Sequence, residues 1–462
     1  MKNYDWKNKI LETTSWGQQI IDVLEAALQA VDPATTVAEN MRLTGDRLTV
    51  GEKSYDLKHF QRVLLVGAGK AGAPMASAAG EILGERLHAG VVIVKQGYAS
   101  KSDRDAGARH MERINILEAS HPLPDTRGVE ATQGILKLVQ EAGQTDLVIC
   151  LISGGGSALL TAPVQGVTLQ DLQTLTDQLL ACGATINEIN ALRKHLDQVK
   201  GGKLARVAAP ATLVTLVLSD VVGDPLDVIA SGPTVPDTTT FEEAWQVLKR
   251  YNLLEKAPSG IVKALQKGRQ GILRENPQPE EDLFRNNQTV IIASNQRAAQ
   301  AAVGKAQKKG FNALLLTTFL QGEAHLAGRT LAAVARQIAA HNQPLARPAC
   351  VVVGGETTVV LQGDGLGGRN LELALGAVRE LADLEKVALI SLATDGGDGP
   401  TDAAGAVVTG DTLQQALQRG LLPEDFLARN DSYHFFAPLG CLLRPGPTQT
   451  NVNDLAFVFA FS

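Results

Sequence analysis

Cysteine is scarce in this chain. Four residues, Cys150, Cys182, Cys350 and Cys441, stand far apart in 462 positions with no CxxC pair and no Cys/His cluster. That leaves no basis for a zinc site or a disulfide framework. Cys150 and Cys350 fall inside apolar runs, where a cysteine behaves as a small buried hydrophobe. No apolar run approaches the length of a membrane span. The opening MKNYDWKNKI carries charge with no apolar stretch behind it, so no signal peptide is expected and a reducing cytoplasm is the expected compartment. Basic residues are not in excess either: 43 Lys plus Arg face 49 Asp plus Glu, a net charge of −6. This balance argues against a nucleic acid or an acidic membrane as partner. Fixed-period repeats are missing. So are the GxxxxGK[ST] of P-loop enzymes and the HRD and DFG of protein kinases.

What is present in quantity is glycine, 45 residues, much of it at the ends of apolar runs. VLLVGAGKAG from Val63, VICLISGGGS from Val148, LVTLVLSDVVGD from Leu213, VVVGGETT from Val351 and LISLATDGGDG from Leu389 each stop in a glycine-rich polar turn. Continuous Val/Ile/Leu runs of this length predict strands of a mostly parallel sheet covered on both faces. Ligands of open α/β sheets bind beyond the carboxyl ends of such strands. The chain is long for a single core, which predicts two α/β/α domains, the first Rossmann-like. An amphipathic helix is expected at Ile20–Leu28, a strand to Val66, a helix near Ala71–Leu87 and a strand at Val91–Val94. The polar stretch 256–287, containing ENPQPEEDLFRNNQ, reads as a connection between domains at 1–255 and 288–462. HFFAPLG and LAFVFAF are candidate strands of the second sheet.

Gly67, Gly69 and Gly72 form a GxGxxG between a strand and a helix, the context of a dinucleotide fingerprint. The following strand, however, ends in Lys95 and Gln96 where that fingerprint requires an acid for the ribose. Lys70 puts a full positive charge beside a helix start, which costs about 0.3–1 kcal/mol unless an anion is close. It reads as a grip on a transferring phosphoryl group, against the simpler reading of a solvated turn residue. Arg369 repeats this arrangement after Gly363, Gly365, Gly367 and Gly368, and its planar fork suits a carboxylate or phosphate. Ser153-Gly154-Gly155-Gly156-Ser157 offers a nest of N–H donors flanked by two hydroxyls, a phosphate cradle if it is not a plain flexible turn. Asp220, Asp224, Asp395, Asp398 and Asp402 cluster at two further strand ends, as magnesium ligands, as hydroxyl-orienting groups or as ordinary turn formers. A helix over 186–199 carries Arg193, Lys194 and Lys200 opposite its apolar face, and Lys194 and Lys200 read first as solvated charges. His121 in SHPLPD has no second histidine near it and reads as a loop residue.

The motifs VGAGKAG, ASHPLPD, LISGGGSALL, INALRKHLDQVKGGKLA, LSDVVGDPLDVIASGPTVPD, GGETTV, GLGGRNLELAL, TDGGDGPTDAAGA and TNVNDL together resemble the type-2 glycerate kinases, a family also labelled hydroxypyruvate reductase. The resemblance covers nearly the whole chain in order. It implies ATP-dependent phosphorylation of D-glycerate at its 2-hydroxyl, giving 2-phosphoglycerate, with magnesium. It also implies an active site in the cleft between two α/β domains, with Lys70 and Arg369 as its key cations. Gly67, Gly69, Ser153, Gly154, Gly155, Gly156, Ser157, Arg193, Gly355, Glu356, Gly367 and Gly368 then form the substrate- and nucleotide-binding set. Asp220, Asp224, Asp395 and Asp398 form the pool for Mg2+, without individual roles. Two alternatives stand beside this reading, an NAD(P)H-dependent hydroxypyruvate reductase and a non-catalytic sensor of sugar acids or nucleotides. A homo-oligomer is compatible with all three.

Overall fold

The computed structural model describes residues 4–99 and 111–462. It divides into two compact units, Pro33–Ile292 and Met1–Asp32 together with Ala293–Ser462. The first begins with a small antiparallel sheet, β1 (Met41–Thr44), β2 (Arg47–Val50) and β3 (Lys53–Asp56). Its main sheet has six strands: β4 (Arg62–Ala68), β5 (Leu87–Lys95), β6 (Ile114–Ala119), β7 (Asp146–Ile152), β8 (Thr212–Leu218) and β9 (Gln288–Ala293). They lie in the order β6-β5-β4-β7-β8-β9, and the pairings from β6 to β8 are parallel.

The apolar runs explain these strands. Every residue of β7 is buried, and in β4 only Arg62 is not. Helices Gly72–Leu83, Thr126–Gln140 and Lys203–Ala208 lie between the strands in sequence, and Leu64, Val66, Ile135, Val148 and Leu204 share one core. From β4 the chain builds outward through β5 and β6, then returns to β7 on the opposite side of β4. Strand order therefore reverses between β4 and β7, the point where an open α/β sheet forms a crevice beyond its carboxyl ends. The turns carrying Lys70 and Ser153–Ser157 follow these two strands.

A helical layer in the same unit has its own core. Leu175 and Leu179 of Leu169–Ala181, Leu192 of Ile186–His195, Leu248 of Phe241–Arg250 and Leu265 of Ser259–Arg269 pack together. The stretch 256–287 is thus more than a connection. Its helix Ser259–Arg269 buries Ile261, Ala264 and Leu265, and Asn276 is fully buried with its amide donating to Asp237 at 2.7 Å. Its polarity reflects the exposed face of that helix and the ties that follow it.

The second unit holds β10 (Asn312–Leu320), β11 (Ala349–Gly355), β12 (Val387–Ala393), β13 (Gly405–Thr409), β14 (Leu442–Leu443) and β15 (Asp454–Ala460), in the order β10-β11-β15-β12-β13-β14. β10 and β11 are parallel, whereas β15 runs antiparallel to both β11 and β12. LAFVFAF does supply a central strand. HFFAPLG does not: Ser432–Phe436 is helical and Ala437–Leu439 a 3-10 turn. Phe435 and Phe436 are neighbours and both fully buried, which the alternation of a half-covered strand would not allow. The N-terminal helix Gly17–Gln29 buries Ile20, Val23, Leu24, Ala27 and Leu28, a helical period, and packs on Asn295–Lys308. The first 32 residues therefore belong to the second unit and not to a domain spanning 1–255.

Candidate active site

The two glycine turns at the β4/β7 reversal are stitched to each other. Ser153 N–H donates to the Ala68 carbonyl at 3.1 Å, and Lys70 N–H donates to the Gly154 carbonyl at 2.8 Å. Ser153 Oγ accepts from Ala71 N–H at 3.1 Å. Gly69, at φ 145°, is required here because a Cβ would meet Ser153 Oγ at 2.0 Å. Ser153 is thereby a buried tie, 1% exposed, and not a free cradle hydroxyl. Ser157 Oγ is also engaged, 2.8 Å from Ser231 Oγ. Gly67 serves strand packing, since a Cβ would lie 2.5 Å from the Leu151 carbonyl oxygen.

Gly154 and Gly155 lie beside Asp220, His121 and Lys70. A Cβ on Gly154 would fall 2.1 Å from Asp220 Oδ2, so the carboxylate rests against the loop backbone. Gly155 has φ 82°, and a Cβ there would meet the His121 ring at 2.9 Å and Lys70 Cγ at 3.4 Å. Gly156 packs against Ala230. Lys70 is half-buried, and among the described residues its ammonium makes no hydrogen bond or ion pair. His121, read from sequence as a loop residue, belongs to this cluster. Burial first, then the positive charges of Lys70 and Lys95, pushes its pKa down to about 4, so the imidazole is neutral at pH 7.

A cavity of about 250 Å³ opens beside the loop, lined by His121, Gly155, Ser157, Leu172, Leu192 and Arg193 among others. Helix Ile186–His195 carries Arg193, and the Thr185–Glu188 capping box fixes its start, an arrangement worth about 1 kcal/mol. Lys194 and Lys200 are not solvated. Each side chain is 3% exposed; Lys194 pairs with Asp237 at 3.1 Å and Asp227 at 3.2 Å, and Lys200 with Asp197 at 2.7 Å. Those acids lie in other segments or past the helix end, and they turn a run of charge inward.

In the second unit Arg369 opens the helix Arg369–Ala377, as expected, and its anion is supplied by the protein itself. Nε donates to Asp454 Oδ2 at 2.5 Å, Nη2 reaches Asp454 Oδ1 at 3.2 Å, and Nη1 lies 2.7 Å from Glu356 Oε1. Burial raises the Asp454 pKa more than Arg369 lowers it. Asp454, the first residue of β15, was assigned no role in the sequence reading; an acid heading an otherwise apolar run was the available signal. Asp398 accepts from Asn370 N–H at 3.1 Å and Leu371 N–H at 2.7 Å. Both oxygens thus cap the helix, and burial, reinforced by Asp454, holds the Asp398 pKa up to about 7. Gly355, Gly367 and Gly368 are set by packing: a Cβ would meet Leu320 O at 2.1 Å, Ser432 Oγ at 2.3 Å and Asp398 Cγ at 2.4 Å.

Asp395 accepts from Gly397 N–H at 3.2 Å within its own turn, and Asp224 occupies a turn at φ 55°. Asp402 pairs with Arg444 at 3.0 Å. Among the described residues, none of Asp220, Asp224, Asp395 and Asp398 joins two further acid or histidine side chains at metal-binding distance; the group that does is Glu323, His325 and Glu372. No described helix is long and apolar enough to cross a membrane.

Comparison with known proteins shows the family. Residues 19–266 match the family described as "Domain of unknown function (DUF4147)", and residues 349–454 match the MOFRL family. The chain is 42% identical over 435 residues to D-glycerate 2-kinase of Thermotoga maritima, covering 94% of this chain and 96% of that protein. It is 41% identical over 396 residues to a putative hydroxypyruvate reductase of Agrobacterium vitis, covering 85% and 98%. The crystal structure of glycerate kinase from Thermotoga maritima superposes with a TM-score of 0.84 at 40% identity, covering 96% of this chain and 99% of that one. With relatives this similar over nearly its whole length, the chain belongs to the glycerate kinase family.

Proposed function

We propose that this protein transfers the terminal phosphoryl group of ATP to the 2-hydroxyl of D-glycerate, giving 2-phosphoglycerate and ADP. The observation that carries the reading is the ammonium of Lys70, unpaired among the described residues and held beside the bare backbone of Gly154 and Gly155 at the sheet's reversal point. Phosphoryl transfer asks a protein for positioning and charge stabilisation more than for covalent chemistry. Lys70 supplies the charge to the transferring group. The Gly154–Gly156 backbone lets phosphate oxygens approach without a side chain intervening. His121, neutral at pH 7, accepts a hydrogen bond without repelling Lys70.

Asp220 fits a magnesium ion, which takes one or two protein carboxylates and completes its shell with phosphate oxygens and water. Its oxygen lies against the loop that would receive the phosphates. When bound, the ion would neutralise charge on the nucleotide phosphates. Arg369 holds Asp454 and Glu356 in register in this reading, rather than gripping the substrate.

The reductase alternative lacks the acidic residue after β5, a strand that ends in Lys95. Phosphorus NMR after incubation with D-glycerate, ATP and magnesium tests the proposal. A signal for 2-phosphoglycerate is expected. Exclusive 3-phosphoglycerate, or NADH oxidation with hydroxypyruvate and no phosphoryl transfer, overturns it.

A further inference from the structure

Among the described residues, one cation lining the cavity of the first unit has no counter-ion. Arg193 is half-buried, and among the described residues its guanidinium makes no hydrogen bond and no ion pair. Burial lowers its pKa, and Lys200 adds like charge nearby. A fork of donors withdrawn from water without a partner is costly to maintain, and its natural complement is a planar anion.

The neighbouring charged groups cannot fill that role, because each is already spent. Lys200 Nζ donates to the Leu160 carbonyl at 2.6 Å, Thr161 Oγ1 at 3.2 Å and Asp197 Oδ2 at 2.7 Å, which uses all its protons. Asp197 also accepts from Ala162 N–H at 3.1 Å and Val199 N–H at 2.9 Å, so it has little left to offer Arg193. His121, on the same cavity wall, carries no charge at neutral pH. Arg369, the other arginine considered for this task, has its fork filled by Asp454 and Glu356.

We infer that Arg193 takes the carboxylate of the acceptor acid in a bidentate pair, so that this cavity is the acid-binding half of the site and Arg193 selects a hydroxy acid over a neutral polyol. The inference rests on the kinase reading above. Position supports it: Gly155 lines the cavity and a Cβ on it would meet Lys70 Cγ at 3.4 Å, so an acid anchored on Arg193 lies on the side of the loop where phosphoryl transfer would occur. Size supports it as well. At about 30 Å³ per water, about 250 Å³ accommodates a three-carbon acid with room for the incoming phosphoryl group. Much of the remaining wall, Leu172, Leu175, Leu179 and Leu192, is apolar, and Arg193 is its one charged group without a counter-ion among the described residues. The helix carrying Arg193 is anchored by buried Ile189 and Leu192, so the fork is presented by a rigid element.

The test compares full-length wild type with Arg193→Gln and Arg193→Lys, using D-glycerate with ATP and magnesium, and glycerol as the neutral acceptor. Arg193→Gln should raise the KM for D-glycerate about 100-fold, leave the KM for ATP within about twofold, and erase the preference for D-glycerate over glycerol. Arg193→Lys, keeping charge without the fork, should fall between. Calorimetric titration of D-glycerate alone reads the same contact without turnover: wild type binds, Arg193→Gln does not. A rise in the KM for ATP with that for D-glycerate unchanged would make the cavity a nucleotide-phosphate site and overturn the inference. Unchanged constants in both variants would overturn it too. A wild type that binds D-glycerate through Arg193 yet makes no phosphoglycerate would sink the kinase reading alone. Should Arg193→Gln fail to fold, the KM ratio in Arg193→Lys and the wild-type discrimination against glycerol decide the matter.

Discussion

Replacing Arg369 with glutamine should unfold the protein more readily at pH 8 than at pH 5, and the reason is Asp454. Its carboxylate is 9% exposed as a residue, and its two oxygens meet Nε and Nη2 of Arg369 at 2.5 and 3.2 Å. Burial alone drives the pKa of this carboxyl up, and Arg369 is the first force pulling it back. Removing one partner of a buried pair leaves a charge with no compensation, which costs about 3–5 kcal/mol in a dry site. Arg369 itself is 34% exposed, so solvent replaces part of what it gave and about 2–3 kcal/mol is the expectation here. The sign of the pH effect follows. A carboxyl whose folded pKa is raised above its unfolded value destabilises the fold at pH above both and ceases to do so once protonated. Glutamine raises the Asp454 pKa further, so the gap from wild type is widest at pH 8 and narrows on acidification. Urea unfolding followed by circular dichroism at the two pH values measures it. A variant as stable as wild type at pH 8, impaired only in turnover, would refute the reasoning and return Arg369 to the substrate.

Lys70→Ala should lower kcat by about 30- to 150-fold, the equivalent of about 2–3 kcal/mol of lost charge stabilisation, with the melting temperature unchanged because no partner among the described residues depends on its ammonium. Gly154→Ala places a methyl 2.1 Å from Asp220 Oδ2, forcing carboxylate and loop apart; kcat/KM should fall on the order of 100-fold while D-glycerate binding by calorimetry persists. His121→Gln should flatten the acid side of the stability profile. The depressed pKa of about 4 means wild type loses stability as pH falls from about 6.5 through 4, and the variant, having no such group, loses less over that window in urea midpoints.

The strands were legible because burial on both faces leaves an uninterrupted apolar run, as in β4, β7, β8, β11 and β12. Their glycine turns were legible for the same reason, since a polar break in such a run has few other uses. What stayed hidden depended on partners distant in sequence. Lys194 looks like a surface charge until Asp237, 43 positions away, turns it inward. Phe435 and Phe436 look like a strand because two aromatics in a row can be buried by a sheet or by a helix, and local pattern does not separate the two. The boundary at 255 failed similarly: polar composition conceals a helix that buries only one stripe. The first 32 residues fold with the C-terminal unit, an association no local property announces.

Lys70 and Arg369 illustrate the limit most sharply. In sequence they are equivalent, each a cation after glycines and before a helix, and the electrostatic penalty of that position predicts an anion near both. The prediction holds for Arg369, but the anion is a carboxylate of the fold, delivered by the first residue of a strand 85 positions later. Lys70 has no such acid among the described residues, and neither does Arg193. Position alone therefore identifies where an anion belongs, not whose it is. The separating criterion is occupancy: a cation whose donors are filled by the protein maintains structure, and one withdrawn from water with its donors empty is held ready for a ligand. That criterion separates Lys70 and Arg193, the two cations proposed to bind ligand, from Arg369, whose donors are filled by Asp454 and Glu356.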